Sequence, residues 1–134
     1  MVLLDTNIAS LLHPKKSPTA LRPQYEPHLI GQVIVVSFQT VAELFQWAQE
    51  RRWGAAARRD LERVVGRFLV VPYDTELGRT WARVMTAARR QGRRLDVGDG
   101  WTAATAVHRR LRLITHDRDF VGLGIPDLDV LCLA

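Results

Sequence analysis

The sequence lacks the features of secreted, disulfide-stabilised and membrane-spanning proteins. Its 134 residues contain one cysteine, Cys132, which has no partner for an internal disulfide. No apolar run approaches the roughly 18 residues that a transmembrane helix needs. The opening segment, Met1-Val2-Leu3-Leu4-Asp5, has neither the basic residues nor the long apolar stretch of a signal peptide. We therefore expect a cytosolic protein with a single domain over residues 1–134.

Lysine is also scarce, since it occurs only at Lys15 and Lys16, whereas arginine is abundant and often paired. The 19 basic residues exceed the 14 acidic ones and give a formal net charge of +5. A basic surface attracts polyanions, and the planar guanidinium group matches the geometry of phosphate. The charge favours a nucleic-acid partner, with an ordinary solvated surface as the alternative. The arginine pairs are Arg51-Arg52, Arg58-Arg59, Arg89-Arg90, Arg93-Arg94 and Arg109-Arg110.

Five short apolar runs predict β-strands: Val2–Leu4, Val33–Val36, Phe68–Val71, Leu111–Ile114 and Val130–Leu133. Consecutive Val, Leu and Ile residues are typical of strands that are buried on both faces. Helical patterns lie between these runs, such as the apolar stripe from Leu77 to Ala88, for which Asp74 is the predicted N-cap. The alternation predicts an α/β fold, a three-layer α/β/α sandwich around a central, mainly parallel sheet of about five strands.

Other side chains receive structural interpretations. Ser17-Pro18 could start a helix, which Pro23 and Pro27 are expected to break or bend. His116 is interpreted as solvent-facing. The tryptophans have helical settings, so they are interpreted as core or dimer-interface residues rather than base-stacking platforms. They are Trp47, Trp53, Trp81 and Trp101.

Four acids fall where a parallel sheet gathers functional residues, at or near the carboxyl ends of its strands. Asp5 directly follows the first predicted strand, and Asp117 follows the fourth. Glu43 lies in the helix after the second strand, and Asp99 opens the helix that leads into the fourth. Carboxylates this close would repel one another unless a cation joins them. Oxygen ligands without histidine or cysteine at ligand spacing favour Mg²⁺ or Mn²⁺ over zinc.

Each acid also has a purely structural interpretation. Asp5 could cap a helix that begins at Thr6. Asp99 could cap its own helix, with Asp96 as the alternative cap. An ordinary surface or turn position is the alternative for the remaining acids, which are Glu43, Asp117 and Asp119. The joint placement of the acids, rather than any one of them, favours a functional site.

The segments that carry the acids occur in a recognisable order along nearly the whole chain. They are Leu3-Leu4-Asp5-Thr6-Asn7-Ile8, Val36-Ser37-Phe38-Gln39-Thr40-Val41-Ala42-Glu43-Leu44, Asp99-Gly100-Trp101-Thr102-Ala103-Ala104-Thr105-Ala106 and Leu113-Ile114-Thr115-His116-Asp117-Arg118-Asp119-Phe120. In this order they resemble the motifs of PIN domains, and most closely those of VapC-type toxins of type II toxin–antitoxin systems. The resemblance implies a PIN fold, Mg²⁺ or Mn²⁺ dependence and endonucleolytic cleavage of RNA by a metal-activated water. It also implies a homodimer, possible larger complexes and inhibition by a cognate antitoxin.

The resemblance assigns roles to individual residues. The catalytic and metal-binding quartet would be Asp5, Glu43, Asp99 and Asp117. Asp119 matches an acid that some family members carry. Thr6 and Asn7 match polar positions beside the first acid, and Thr115 matches a hydroxyl that orients water or an acid. Thr102 departs from the pattern, because an apolar residue is more usual there.

Three other functions compete with this interpretation. A non-catalytic PIN-like RNA-binding module would share the fold but would gain nothing from acids that face RNA without a metal. A receiver-type phosphoryl-transfer domain would need an Asp-x-Asp pair after the first strand and a late lysine. This chain has Asp5-Thr6-Asn7 instead and no lysine beyond Lys16. Cleavage of DNA in place of RNA is compatible with the same residues.

Overall fold

The fold is organised around a sheet of five strands in which every strand pair is parallel. The computed structural model describes residues 1–16 and 21–134. The strands are β1 (Val2–Leu4), β2 (Ile34–Ser37), β3 (Leu69–Val71), β4 (Arg112–Thr115) and β5 (Val130–Cys132), in the order β3-β2-β1-β4-β5. Each strand overlaps one of the predicted apolar runs, so the predicted parallel sheet is confirmed.

Helices connect the strands and cover both faces of the sheet. They are α1 (Thr6–Ala9), α2 (Leu21–Leu29), α3 (Phe38–Glu50), α4 (Ala55–Gly66), α5 (Thr75–Arg90) and α6 (Val97–Arg109), with 3₁₀ turns at Ser10–Leu12, Pro14–Lys16 and Arg118–Phe120. None of the helices formed by the described residues is long and apolar enough to cross a bilayer.

Two separate apolar cores lie on opposite faces of the sheet, because successive side chains of a strand point to opposite sides. Leu3 of β1 packs into the core beneath α5 and α6, whereas its neighbours Val2 and Leu4 pack into the core beneath α1 to α4. This arrangement confirms the three-layer α/β/α sandwich.

Helix α5 follows its predicted pattern closely. The carboxylate of Asp74 accepts a hydrogen bond from the backbone N–H of Leu77 at 2.8 Å, which confirms the predicted N-cap. Leu77, Val84 and Ala88 are buried on the face that packs against α6 and the sheet. One capping residue and one apolar stripe therefore specify where α5 begins and which of its faces is buried.

The proline-rich stretch differs from its prediction. Ser17-Pro18 lies outside the described residues, but α2 continues through both Pro23 and Pro27. Pro23 lies in the first turn, where a backbone N–H needs no partner within the helix. Pro27 removes one hydrogen bond, at a cost of roughly 3 kcal/mol. The side chain of Tyr25 on the same helix is fully buried and hydrogen-bonded, which offsets this cost.

Candidate active site

The candidate active site lies at the carboxyl edge of the sheet, beyond the end of the central strand β1. Strands β2 and β3 extend the sheet on one side of β1, and β4 and β5 extend it on the other. Where the connections of a parallel sheet diverge in this way, a crevice opens at the carboxyl ends of the strands. Asp5 is the first residue after β1 and therefore lies at this crevice.

The carboxylate of Asp5 is buried and held from two sides. Its Oδ1 accepts the backbone N–H of Thr6 at 2.8 Å, and its Oδ2 accepts the hydroxyl of Thr115 at 2.8 Å. Asp5 thus caps α1 and also faces the crevice, so the two sequence interpretations describe the same side chain. Burial raises the pKa of Asp5, the two hydrogen bonds oppose that rise, and the nearby Asp117 adds to it.

The loop after β4 is tied to the start of the chain by side-chain hydrogen bonds. The hydroxyl of Thr115, while donating to Asp5, accepts the backbone N–H of Asp117 at 3.0 Å. The side-chain oxygen of Asn7 accepts the backbone N–H of His116 at 3.3 Å. The residues that the resemblance assigns as supporting therefore connect Asp5 to the backbone that carries Asp117.

Glu43 lies on α3 and reaches the same network from the other side of β1. The hydroxyl of Thr6 lies 2.9 Å from that of Thr40 and 3.3 Å from Oε1 of Glu43, to which it can donate. Burial raises the pKa of Glu43. Gln39 and Thr6 oppose that rise by hydrogen bonding, whereas the charge of Asp5 adds to it.

A compact group of three acids, the acid trio, lies beside Asp5. One carboxylate oxygen from each of Asp99, Asp117 and Asp119 falls within 4.8 Å of the others. Asp117 also accepts the backbone N–H of Asp119 at 2.8 Å, so it caps the 3₁₀ turn Arg118–Phe120. Asp99 lies in the first turn of α6, whereas Asp96 occupies the N-cap position. The interpretation of Asp99 as the cap is therefore wrong, because the helix begins one turn earlier.

The carboxyl group of Asp99 lies where negative charge accumulates. Burial raises its pKa to about 7, together with repulsion from Asp5, Asp117, Asp96 and Glu43. None of these acids forms a salt bridge with any basic residue in residues 1–16 and 21–134. The site therefore holds more negative charge than the surrounding side chains compensate.

Tyr25 is a residue of this region that the sequence did not reveal. Its buried hydroxyl donates to the backbone oxygen of Thr115 at 2.9 Å and accepts the N–H of Leu133 at 3.0 Å. The same hydroxyl lies 2.7 Å from Nδ1 of His116. His116 is thus half-buried and packed edge-on against Tyr25, so its interpretation as solvent-facing is wrong. Helix α2 folds over the loop after β4, and no local pattern in the sequence predicts that contact.

Comparisons with known proteins agree with this geometry. The sequence profile of the PIN domain matches residues 2–125. VapC ribonuclease Y4jK of Sinorhizobium fredii (strain NBRC 101917 / NGR234) is 32% identical over 130 residues, with 87% of each chain covered. Among solved structures, VapBC-5 from Mycobacterium tuberculosis superposes with a TM-score of 0.73 at 26% identity, covering 98% of each chain. VapBC2 from Rickettsia felis, bound to a DNA fragment from its promoter, reaches a TM-score of 0.81 at 19% identity, also covering 98% of each chain. This chain belongs to the PIN domain family and, within it, to the VapC ribonucleases.

Proposed function

We propose that the protein is a Mg²⁺- or Mn²⁺-dependent endoribonuclease and the toxin of a toxin–antitoxin pair. The observation that carries this proposal is the acid trio beside the buried Asp5, at the crevice of a PIN fold. Four of the acids at this edge are the quartet assigned from the sequence: Asp5, Glu43, Asp99 and Asp117. Asp119 joins them as a further acid, because its carboxylate is as close to Asp99 and Asp117 as a shared ligand requires.

The donor set fits a hard divalent cation. The acid trio offers only carboxylate oxygens, which are the ligands that Mg²⁺ and Mn²⁺ prefer. The raised pKa of Asp99 supports the assignment independently, because a cation at this position would relieve the repulsion that raises it. Asp99 accepts no hydrogen bond in the described part of the chain, so its oxygens are available to a ligand.

In this proposal, a bound cation supplies Lewis-acid charge next to the scissile phosphate and lowers the pKa of water. The protein contributes rigid placement of the acids. Asp5 is fixed by Thr6 and Thr115, and the Thr115 hydroxyl also holds the backbone of Asp117. Asn7 fixes the intervening backbone at His116. Preorganised carboxylates of this kind need not reorganise as charge develops on the phosphate, which is where such sites gain most of their rate.

Partners follow from the family. The solved relatives include VapBC-5 from Mycobacterium tuberculosis, a member of the VapBC family of toxin–antitoxin systems. We propose that this protein likewise binds a cognate antitoxin and forms a homodimer. A short adjacent reading frame whose product suppresses RNA cleavage by the purified protein would support the toxin role. The absence of inhibition by that product would count against it.

The experiment is a cleavage assay with purified protein and single-stranded RNA. We expect cleavage with Mg²⁺ or Mn²⁺, no cleavage in EDTA, and loss of cleavage in Asp5→Asn. Asp60→Asn on α4 is the matched control, since it also neutralises one acid and should retain activity. RNA binding that survives EDTA without any cleavage in Mg²⁺ would instead favour a non-catalytic RNA-binding module. Equal cleavage of single-stranded DNA would widen the substrate class.

A further inference from the structure

A groove runs along the second half of α5 and the connection to α6. It consists of two adjoining cavities of about 580 and 490 Å³, both of which Met85 and Arg89 line. We call it the basic groove, because four arginines are among the residues that line it: Trp81, Met85, Arg89, Arg90, Arg93, Arg94 and Leu95. No acidic residue lines either cavity.

The floor of the basic groove is packed directly against the helix that carries Asp99. Gly100 follows Asp99, and a Cβ at Gly100 would clash with Sδ of Met85 and lie 2.8 Å from Nε1 of Trp81. Only glycine allows α5 to approach α6 so closely at this point. Trp81 and Met85, which form the floor of the basic groove, therefore contact α6 at the residue next to Asp99.

The rim of the basic groove is attached to the acid trio by Arg93. Its guanidinium group donates to the backbone oxygens of Asp119, Val121 and Gly122 at 3.1–3.2 Å. Because the side chain of Asp119 belongs to the acid trio, the segment that Arg93 holds runs from the acids to the groove. The basic groove and the acid trio are thus adjacent, and the segment from Asp119 to Gly122 lies between them.

The remaining arginines of the groove are available to a ligand. The side chains of Arg89, Arg90 and Arg94 are exposed, and none of them forms an ion pair or hydrogen bond within residues 1–16 and 21–134. Unpaired guanidinium groups beside a hydrolytic site are suited to phosphate, which they bind through two parallel N–H donors. Trp81 and Met85 add an apolar floor, with Trp81 stacked on Trp101 at a centroid distance of 5.1 Å.

We propose that the basic groove binds the single-stranded RNA next to the cleaved phosphodiester, an inference that rests on the proposed ribonuclease function. Arg89 and Arg94 contact backbone phosphates, and a ribose or base packs on the floor made by Trp81 and Met85. A second copy of the chain fits less well, since two-fold contact across this face would oppose arginine to arginine. Trp81 is half-buried and packs against the core beneath α5 and α6, as expected from the sequence, and in this proposal its exposed part also contacts the RNA.

The test compares a double variant, Arg89→Ala with Arg94→Ala, against a matched control, Arg59→Ala with Arg67→Ala. Both remove two exposed arginines, but the control pair lies on or directly after α4, against the opposite face of the sheet. Binding of a fluorescent single-stranded RNA is measured by anisotropy over a salt series, with every protein also carrying Asp99→Asn to prevent cleavage. This readout does not depend on nuclease activity.

We expect the groove variant to bind RNA roughly tenfold more weakly, with a salt dependence reduced by about 1.4 in log–log slope for two lost phosphate contacts. The control should bind as the parent does. In active protein, the groove variant should raise KM by about the same factor, with a much smaller change in kcat. If the groove variant binds RNA as tightly as the control does, the groove proposal is wrong, even if the wild-type protein cleaves RNA.

Other outcomes separate the alternatives. If the groove variant binds RNA more weakly but the wild-type protein does not cleave RNA, the groove proposal is supported and the proposed ribonuclease function is wrong. If the groove variant no longer forms the dimer that the parent forms, but binds RNA with unchanged affinity, the groove is a contact between copies of the chain and the RNA-binding proposal is wrong. Loss of binding to an acidic peptide such as poly-glutamate, with RNA affinity intact, would overturn it in favour of a peptide site.

Discussion

The acids on the two sides of the site are held in different ways. Asp5 is buried and accepts a hydrogen bond at each oxygen, from Thr6 and from Thr115. Asp99 is only half-buried, accepts no hydrogen bond among the described residues and is repelled by four neighbouring acids. The fold therefore provides hydrogen-bond partners for Asp5, whereas it provides none for Asp99 among the described residues. In the proposed function, a bound cation is the partner of Asp99. We expect substitutions at the two positions to have equal effects on activity and opposite effects on stability.

The largest expected effect is on cleavage, in a comparison of Asp5→Ala with Asp99→Ala. Each should lower the rate by roughly a thousandfold or more, since each removes a proposed ligand that is worth several kcal/mol in the transition state. In metal-free protein, Asp5→Ala should cost about 1–3 kcal/mol of the free energy of unfolding, because two donors lose their acceptor. Asp99→Ala should leave that free energy unchanged or raise it, because it removes repulsion. Urea denaturation in EDTA measures both, and equal destabilisation by the two changes would contradict the comparison.

Most of the fold, and the position of Asp5, could be predicted from the sequence because their signals are local. A buried strand appears as a short run such as Val2–Leu4, and the acid that follows it lies at the sheet edge by topology. The cap at Asp74 is equally local, since it depends on residues three positions apart. Assigning Asp99 to the site depended on the family resemblance. The topology of a parallel sheet locates the carboxyl ends of its strands, but it does not locate the start of a helix such as α6.

The contacts that could not be predicted join residues far apart in the chain. Tyr25 and Thr115 are 90 positions apart, and Arg93 and Asp119 are 26 apart. No pattern of residue types in the sequence predicts either contact. Tyr25 also lies between prolines that argue against a helix, although the tertiary hydrogen bonds of its hydroxyl favour one. Long-range polar contacts override local preference at such places.

The next effect concerns the support of Asp5 and is smaller. Tyr25→Phe removes only the hydroxyl that holds the backbone of Thr115, whose side chain in turn holds Asp5 and Asp117. We expect kcat to fall and the Mg²⁺ concentration for half-maximal activity to rise, each by about tenfold, as for other residues that orient metal ligands. KM for RNA should stay constant, because the basic groove is untouched. Kinetics over a Mg²⁺ titration measure all three quantities.

The matched control for Tyr25→Phe is Thr105→Val. Thr105 is likewise fully buried, and its hydroxyl donates to the backbone oxygen of Trp101 at 2.7 Å, within α6. Both variants lose one buried hydroxyl, so both should lose about 1 kcal/mol of the free energy of unfolding. Only Tyr25→Phe should change the Mg²⁺ requirement. If Thr105→Val shifts that requirement equally, Tyr25 acts through stability alone and has no positioning role.

The last expected effect is the pH dependence of stability in metal-free protein, which probes the Asp99 side directly. The pKa of Asp99 rises from 3.8 to about 7 in the folded protein, so between these values the folded state holds a proton that the unfolded state has released. Stability that is present below pH 4 is therefore lost as the pH rises through about 7. Asp5 and Glu43 act in the same direction, because their pKa values are also raised.

Asp99→Asn should make stability decline less steeply with rising pH, and saturating Mg²⁺ should reverse the decline, because the cation binds the ionised acids of the folded state. Urea melts at several pH values, with and without Mg²⁺, measure the slope. A wild-type slope that matches that of Asp99→Asn would mean that Asp99 does not carry the uncompensated charge.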